Sequence, residues 1–303
     1  MLDLSHIPSS QQDIQIFYAS EGAFAYQTWR KPKKCSFVYV LCIGAGSAGC
    51  PGVSSNLNTA ASSFYGGSSG SVSRCLINSS FVPDVLYVKV GKGGIGAGNP
   101  NIGGGGQFGS NVGESSGIFV LPILSSQSSA NERNSFIGGN NQSNFLAGGN
   151  ASSLGDNFLI GLTNFISTVG KIALVGFSNT PFDQFILSSQ IVTEGLAGAP
   201  VNSTLDTPFN GGSFAATAVS PRIQGGTGGG LVGGNGDDGY TSWKPFFSTG
   251  GAGGGNSYTA GGVAGKGGNG GIGSGGGNGG NANFGTAGAG GNGGDGIVII
   301  ISF

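Results

Sequence analysis

Charge is scarce in this chain. Of 303 residues, 12 are Lys or Arg and 13 are Asp or Glu, 8% in all, where ordinary domains carry roughly 25%. The net charge is −1, with no basic patch dense enough to grip phosphates, so nucleic acid is not an expected partner. The short basic run Arg30-Lys31-Pro32-Lys33-Lys34 reads as a solvated loop. There is one histidine, His6. Catalysis by a Ser/His or Cys/His pair needs a usable histidine, and no other acid/base constellation stands in the sequence. An enzyme is not expected, nor a cofactor. Long hydrophobic runs are also missing. The longest strictly apolar stretch, 297–301, is far too short to span a bilayer as a helix. The first residues carry no basic n-region or apolar h-region, so they are not expected to be a secretory leader.

Four cysteines are present: Cys35, Cys42, Cys50 and Cys75. Cys35 and Cys42, seven apart on one apparent strand, should face opposite ways and stay free. Their spacing does not match a zinc site. Asp237, Asp238 and Asp295 lie among glycines and read as turn-forming residues rather than a calcium site. Gly44-x-Gly46-x-x-Gly49 follows a strand with the spacing of a dinucleotide loop. A helix N-terminus must follow to receive pyrophosphate, and Cys50-Pro51-Gly52-Val53 is poor helix material. The glycines read instead as a strand exit.

What the chain has is glycine, 66 residues of it, together with 20 Phe. Residues 225–296 are nearly half glycine, with no proline after Pro245. From Gly267 to Gly279 glycine recurs every third residue, the period of the extended left-handed helix of polyproline and collagen strands. Such helices make no internal hydrogen bonds, but glycine ones can pack side by side and bond laterally. Candidate rods are 225–239, 250–255, 261–280 and 285–296. Irregular glycine loops are the alternative. Between the rods lies an aromatic segment, Tyr240-Thr241-Ser242-Trp243-Lys244-Pro245-Phe246-Phe247. Tyr240, Trp243, Phe246 and Phe247 are the candidate surface-contact residues for a sugar or surface polymer, against a plug under the glycine layer.

Helical periodicity is scarce and strand-like runs dominate. Strands are expected at 13–18, 37–43, 71–77, 85–90, 118–124, 159–165, 171–177, 185–192, 214–219 and 297–302; 154–168 could instead be a short helix. The fold class expected is all-β, a jelly-roll-like β-sandwich with a glycine-rich cap. The division is an N-terminal arm (1–12), a sandwich base (13–224) with an inserted β portion (about 118–221), the cap (225–296) and a final strand (297–303). Strand 71–77 should form a hairpin with 85–90. The final strand should pair with 37–43. All four adjoining glycine loops should share one end.

The chain resembles the glycine-rich domain of bacteriophage tail-fibre tips and other virion surface proteins. The resemblance rests on Thr28-Trp29-Arg30-Lys31-Pro32, on Phe37-Val38-Tyr39-Val40 leading to Ile43-Gly44-Ala45-Gly46, on Leu86-Tyr87-Val88-Lys89-Val90-Gly91-Lys92-Gly93-Gly94, and on Gly290-Gly291-Asn292-Gly293-Gly294-Asp295-Gly296-Ile297-Val298-Ile299-Ile300. These blocks come in the family's order and bracket most of the chain. The first glycine loop departs by being diluted with Ala and Ser, and residues 118–221 look like an added portion. The resemblance implies a structural protein of the virion surface, a spike or fibre tip. Its partners would be other virion proteins, copies of itself as a homotrimer, and a host carbohydrate or envelope component. It supplies no receptor-binding residues. A minor capsid or decoration protein is the nearest alternative; a cellular wall or extracellular-matrix protein is the alternative of another class.

Overall fold

The computed structural model describes residues 12–21, 26–55, 66–70, 72–96, 113–114, 116–119, 144–148, 191–200, 207–217, 220–243 and 246–303. The strands are β1 (Asp13–Tyr18), β2 (Gln27–Arg30), β3 (Phe37–Ile43), β4 (Ser54–Ser55), β5 (Val72–Asn78), β6 (Val85–Lys89), β7 (Ser116–Phe119), β8 (Asn144–Gly148), β9 (Thr241–Trp243), β10 (Phe246–Ser248), β11 (Ala282–Asn283) and β12 (Ile297–Ser302). The fold is all-β. Among the described residues the one helical element is a 3₁₀ turn at Ser79–Phe81.

Two four-stranded antiparallel sheets form a β-sandwich. One runs β1-β12-β3-β5, the other β2-β6-β7-β8. Alternation decides which residues enter the core. On β3, Val38, Val40 and Cys42 turn inward, as do Val298 and Ile300 of β12; they meet Trp29, Leu86, Val88 and Ile118 of the facing sheet. Trp29 is fully buried, which explains how the short, otherwise polar β2 holds its place. The final strand pairs antiparallel to β3, with Ile297 opposite Ile43 and Ile301 opposite Tyr39.

Several expectations are corrected. β5 and β6 are not a hairpin: β5 pairs with β3 and β6 with β2 and β7. The 3₁₀ turn carries the chain across the sandwich, with Val82 buried at the corner. Lys31 holds that corner, its Nζ donating to the Val82 carbonyl at 2.8 Å and pairing with Asp84 at 2.9 Å. Residues 214–219 make no strand among those described, only an isolated bridge between Phe214 and Ile223. Cys35 and Cys42 do not face opposite ways. The strand begins at Phe37, so its alternation never reaches Cys35, and both cysteines pack against the same core with no disulfide. Residues 120–124, 154–168, 171–177 and 185–190, and the arm 1–11, lie outside the described residues.

The glycine segments build a lattice of extended rods joined laterally by backbone hydrogen bonds. Bonds recur every third residue along each rod. The amides of Gly46, Gly49 and Gly52 donate to the carbonyls of Gly294, Gly291 and Gly288; those of Ala264, Gly267 and Gly270 donate to Thr286, Ala289 and Asn292. This is the threefold period read in the sequence. Two rods, 249–257 and 273–282, are buried along their whole length. One turn of the second shows why. Gly276 donates to Ser47 and accepts from Gly67; Gly277 donates to Gly268 and accepts from Gly291; Asn278 donates to Leu196 and accepts from Gly254. Three residues thus bond six different rods. Residues 251–253 do the same: Gly251 bonds to Gly275 and Leu196, Ala252 to Asp237 and Gly268, Gly253 to Gly212 and Gly226. Every backbone N–H and C=O of these six residues finds a partner, which removes the cost of burying a side-chain-poor backbone.

The rods are shorter than expected. The candidate 225–239 folds back at Gly230-Leu231, since Gly234 donates to Thr227 and Asp237 to Gln224 in antiparallel order. The candidate 261–280 folds back at 271–273, where Gly273 takes φ +65°, a conformation glycine adopts without a Cβ penalty. Nor is the lattice confined to 225–296. Segments 44–53, 66–70, 91–96, 193–200 and 207–213 are woven into it. The four glycine segments adjoining β3, β5, β6 and β12 are bonded together: Gly46 to Gly294, Ser47 to Ser68, Gly94 to Gly46, and Gly293 to Gly94. A second apolar cluster seals lattice to sandwich. Ile43, Ile297, Ile191 and Val192 are buried there, with Leu41, Phe246, Ile272 and Ile299 packed against them.

Candidate functional site: the far end of the lattice

Rod direction defines two ends. Rods 44–53, 193–200, 249–257 and 273–282 leave the sandwich side by side, and rods 232–239, 263–271 and 286–296 return antiparallel to them. The turns at 230–231, 258–262 and 283–285 therefore lie together at the end away from the sandwich. They are tied to each other. Val263 N–H donates to the Leu231 carbonyl at 2.7 Å, Thr259 N–H to Gly230 at 3.0 Å, and Gly261 N–H to Phe284 at 3.2 Å. Asn283 Nδ2 adds a bond to the Tyr258 carbonyl at 2.9 Å.

Large apolar side chains stand out from these turns. Leu231 and Val232 are 62% and 69% exposed, and Val263 and Phe284 are each 47% exposed. Phe284 has φ +47°. An aromatic residue in the left-handed region costs about 1–3 kcal/mol and persists only where its surroundings impose it. No Lys, Arg, Asp or Glu occurs between 227 and 233 or between 255 and 263. These three turns are thus uncharged, carry exposed apolar side chains and are fixed by backbone bonds. Nothing in the sequence singled these residues out; scattered among glycines, they look like ordinary linker residues.

The four aromatic candidates sit elsewhere, at the sandwich end. Thr241–Trp243 and Phe246–Ser248 form a hairpin in which Phe246 opposes Trp243, their rings 5.5 Å apart and edge-on. Trp243 also meets the Tyr18 ring edge-on at 6.4 Å. Tyr240 and Trp243 are exposed. Phe246 packs into the seam, and Phe247 is only 4% exposed. Phe247 therefore cannot touch a ligand, because the hairpin's alternation turns it inward. Of the four, Phe246 belongs to the seal between lattice and sandwich, and Tyr240 and Trp243 stay at the surface.

The acidic residues in the lattice have structural work. Asp238 Oδ1 accepts from Asn269 N–H, Asn269 Oδ1 from Asn292 N–H, and Asn292 Oδ1 from Gly96 N–H, all at 2.7–3.0 Å. Asp295 takes the Gly93 amide, Asp237 that of Gln224, and Asn235 that of Lys266. Each side chain satisfies an outward N–H of the adjoining rod at the lattice surface, where no further rod can. Among the described residues no group of three His, Cys, Asp or Glu could hold a metal ion. The Gly44-x-Gly46-x-x-Gly49 spacing serves the rod. No helix follows it, and a β-carbon on Gly46 or Gly49 would overlap the carbonyl of Ser274 or Gly277. Among the described residues no helix is long and apolar enough to cross a membrane. No protein-family model matches the chain, and no curated protein matches it in sequence.

Proposed function

We propose that this chain is a structural protein of the virion surface, in the manner of a phage spike or fibre tip, and that it meets the host through the far end of its glycine lattice. The observation that carries the reading is the exposed apolar cluster of Leu231, Val232, Val263 and Phe284 on turns locked by backbone bonds. A lattice without long side chains is a stiff post. It holds its end turns in one geometry, which lowers the entropy cost of binding. Uncharged turns with exposed apolar side chains suit a sugar ring face or an apolar envelope component better than a charged polymer. The sandwich would fasten the post to other virion proteins.

The test is a saturation binding assay of purified, fluorescently labelled protein on intact bacterial cells and isolated envelopes from a panel of strains. The reading expects saturable binding to at least one envelope. It expects the Leu231→Ser/Phe284→Ser variant to bind at least tenfold more weakly, with its circular dichroism and melting unchanged. Firm attachment to particles with no envelope binding would make it a decoration protein instead.

A further inference from the structure

Among the described residues β1 is an edge strand with little to keep other edges away, the Gln27 side chain at its last carbonyl being the one group bonded there. Its six residues pair with β12 in unbroken register, without a bulge. It contains no lysine and no proline, and its one charge, Asp13, sits at its first position. Natural edges are blunted by lysine, proline, bulges or a covering loop. Among the described residues no strand lies outside β1. Ile14, Ile16 and Tyr18 stand side by side on its outer face, between 41% and 52% exposed.

The free edge can be assigned. The Tyr18 carbonyl accepts from the Gln27 side chain, away from β12. The Asp13 carbonyl accepts from the Ser302 hydroxyl, on β12 itself. In an antiparallel pair successive residues alternate in the direction of their backbone groups. Residues 13, 15 and 17 therefore bond toward β12, and Ile14, Ile16 and Tyr18 aim their N–H and C=O groups outward. The same three residues carry the exposed apolar side chains.

We propose that β1 pairs antiparallel with β1 of a second copy of this chain, about a two-fold axis through Ile16, joining the two sheets into one of eight strands. The strand is self-complementary in that register. Ile16 faces its own equivalent, and Ile14 faces Tyr18 of the second copy. That gives two aromatic–β-branched cross-strand pairs, a favourable combination. All three pairs fall at positions whose backbone groups point across the join, the Tyr18 carbonyl exchanging its bond from the exposed Gln27 side chain for one from the second copy. Asp13 falls opposite Ala19, so the only charges on the strands do not confront each other. A two-fold contact of one surface with itself closes the assembly. A three-fold ring would require β1 to meet a different edge, β5, and leaves this self-match unused. The inference does not depend on the proposed function.

The test has three arms. Light scattering on the purified chain should give twice 29.7 kDa. Ile14→Lys/Ile16→Lys should halve that mass while leaving circular dichroism unchanged. Ile16→Cys, under mild oxidation, should give a covalent dimer absent from the wild type, because opposed hydrogen-bonded residues lie about 5.5 Å apart at Cα, within disulfide reach. Leu76→Cys, on the opposite edge, should not. A monomer, a trimer, or a Leu76→Cys dimer without an Ile16→Cys dimer would overturn the proposal.

Discussion

The amide of Gly277 donates to the carbonyl of Gly268 at 2.8 Å, and a β-carbon on either residue would be driven inside 3.0 Å of a third rod, at Ala252 for Gly277 and Asp237 for Gly268. Bonding each rod to several neighbours at once thus brings backbones too close for any side chain. Glycine is required here by the approach of backbones, as at the crowded axis of collagen.

Gly277→Ala should therefore destabilise the protein by about 1–3 kcal/mol or more, since the obstructing atoms are backbone and cannot swing away. Gly230→Ala is the control. Its nearest neighbour would be the Thr259 hydroxyl at 3.2 Å, on a surface turn. It should change stability by less than about 0.5 kcal/mol. Denaturant unfolding of the pair checks this; equal effects would show that glycine content, not rod spacing, sets stability.

Asn256 is the side-chain counterpart. Fully buried on a central rod, it accepts from Phe209 N–H at 2.8 Å and donates to the Thr207 carbonyl at 3.2 Å. Asn256→Ala leaves the Phe209 amide without that acceptor, an expected loss of about 1–3 kcal/mol. The loss should be local: hydrogen exchange should quicken at residues 209–212 before it does in the sandwich.

Much of the sandwich was legible in the sequence because β1, β3 and β12 are apolar-rich runs between clear breaks. The bounds of these three strands are those read from the pattern. β2 escaped notice because only Trp29 of its four residues faces the core. The β5–β6 hairpin was misread because nearness in sequence suggested pairing, while the buried Val82 turns the corner between sheets. In the lattice, the period of three from Gly267 to Gly279 was visible. The reversal at 271–273 was not, since a continuous glycine run hides its own turns. Rods 193–200 and 207–213 were invisible, being mixed with Leu, Ala, Pro and Phe. Their signal is a small residue every third place on the side facing the lattice, Gly195 and Gly198 against the carbonyls of Gly276 and Gly279. The clamping pairs Asn235/Asp238 and Asn292/Asp295 are also three apart. That spacing is readable once an acceptor is known to be needed on each outer rod. The exposed end turns carry no such pattern, since nothing in the fold constrains which apolar residue stands there.

The most direct measurement of the central claim, that glycine forms an ordered, laterally bonded lattice, is amide hydrogen exchange at Gly276, Gly277, Asn278, Gly279 and Gly280. The account predicts protection comparable to that of Val40 and Ile300 in the sandwich core, with exchange only on global unfolding. Exchange at the rate of a free glycine-rich chain under native conditions would contradict it.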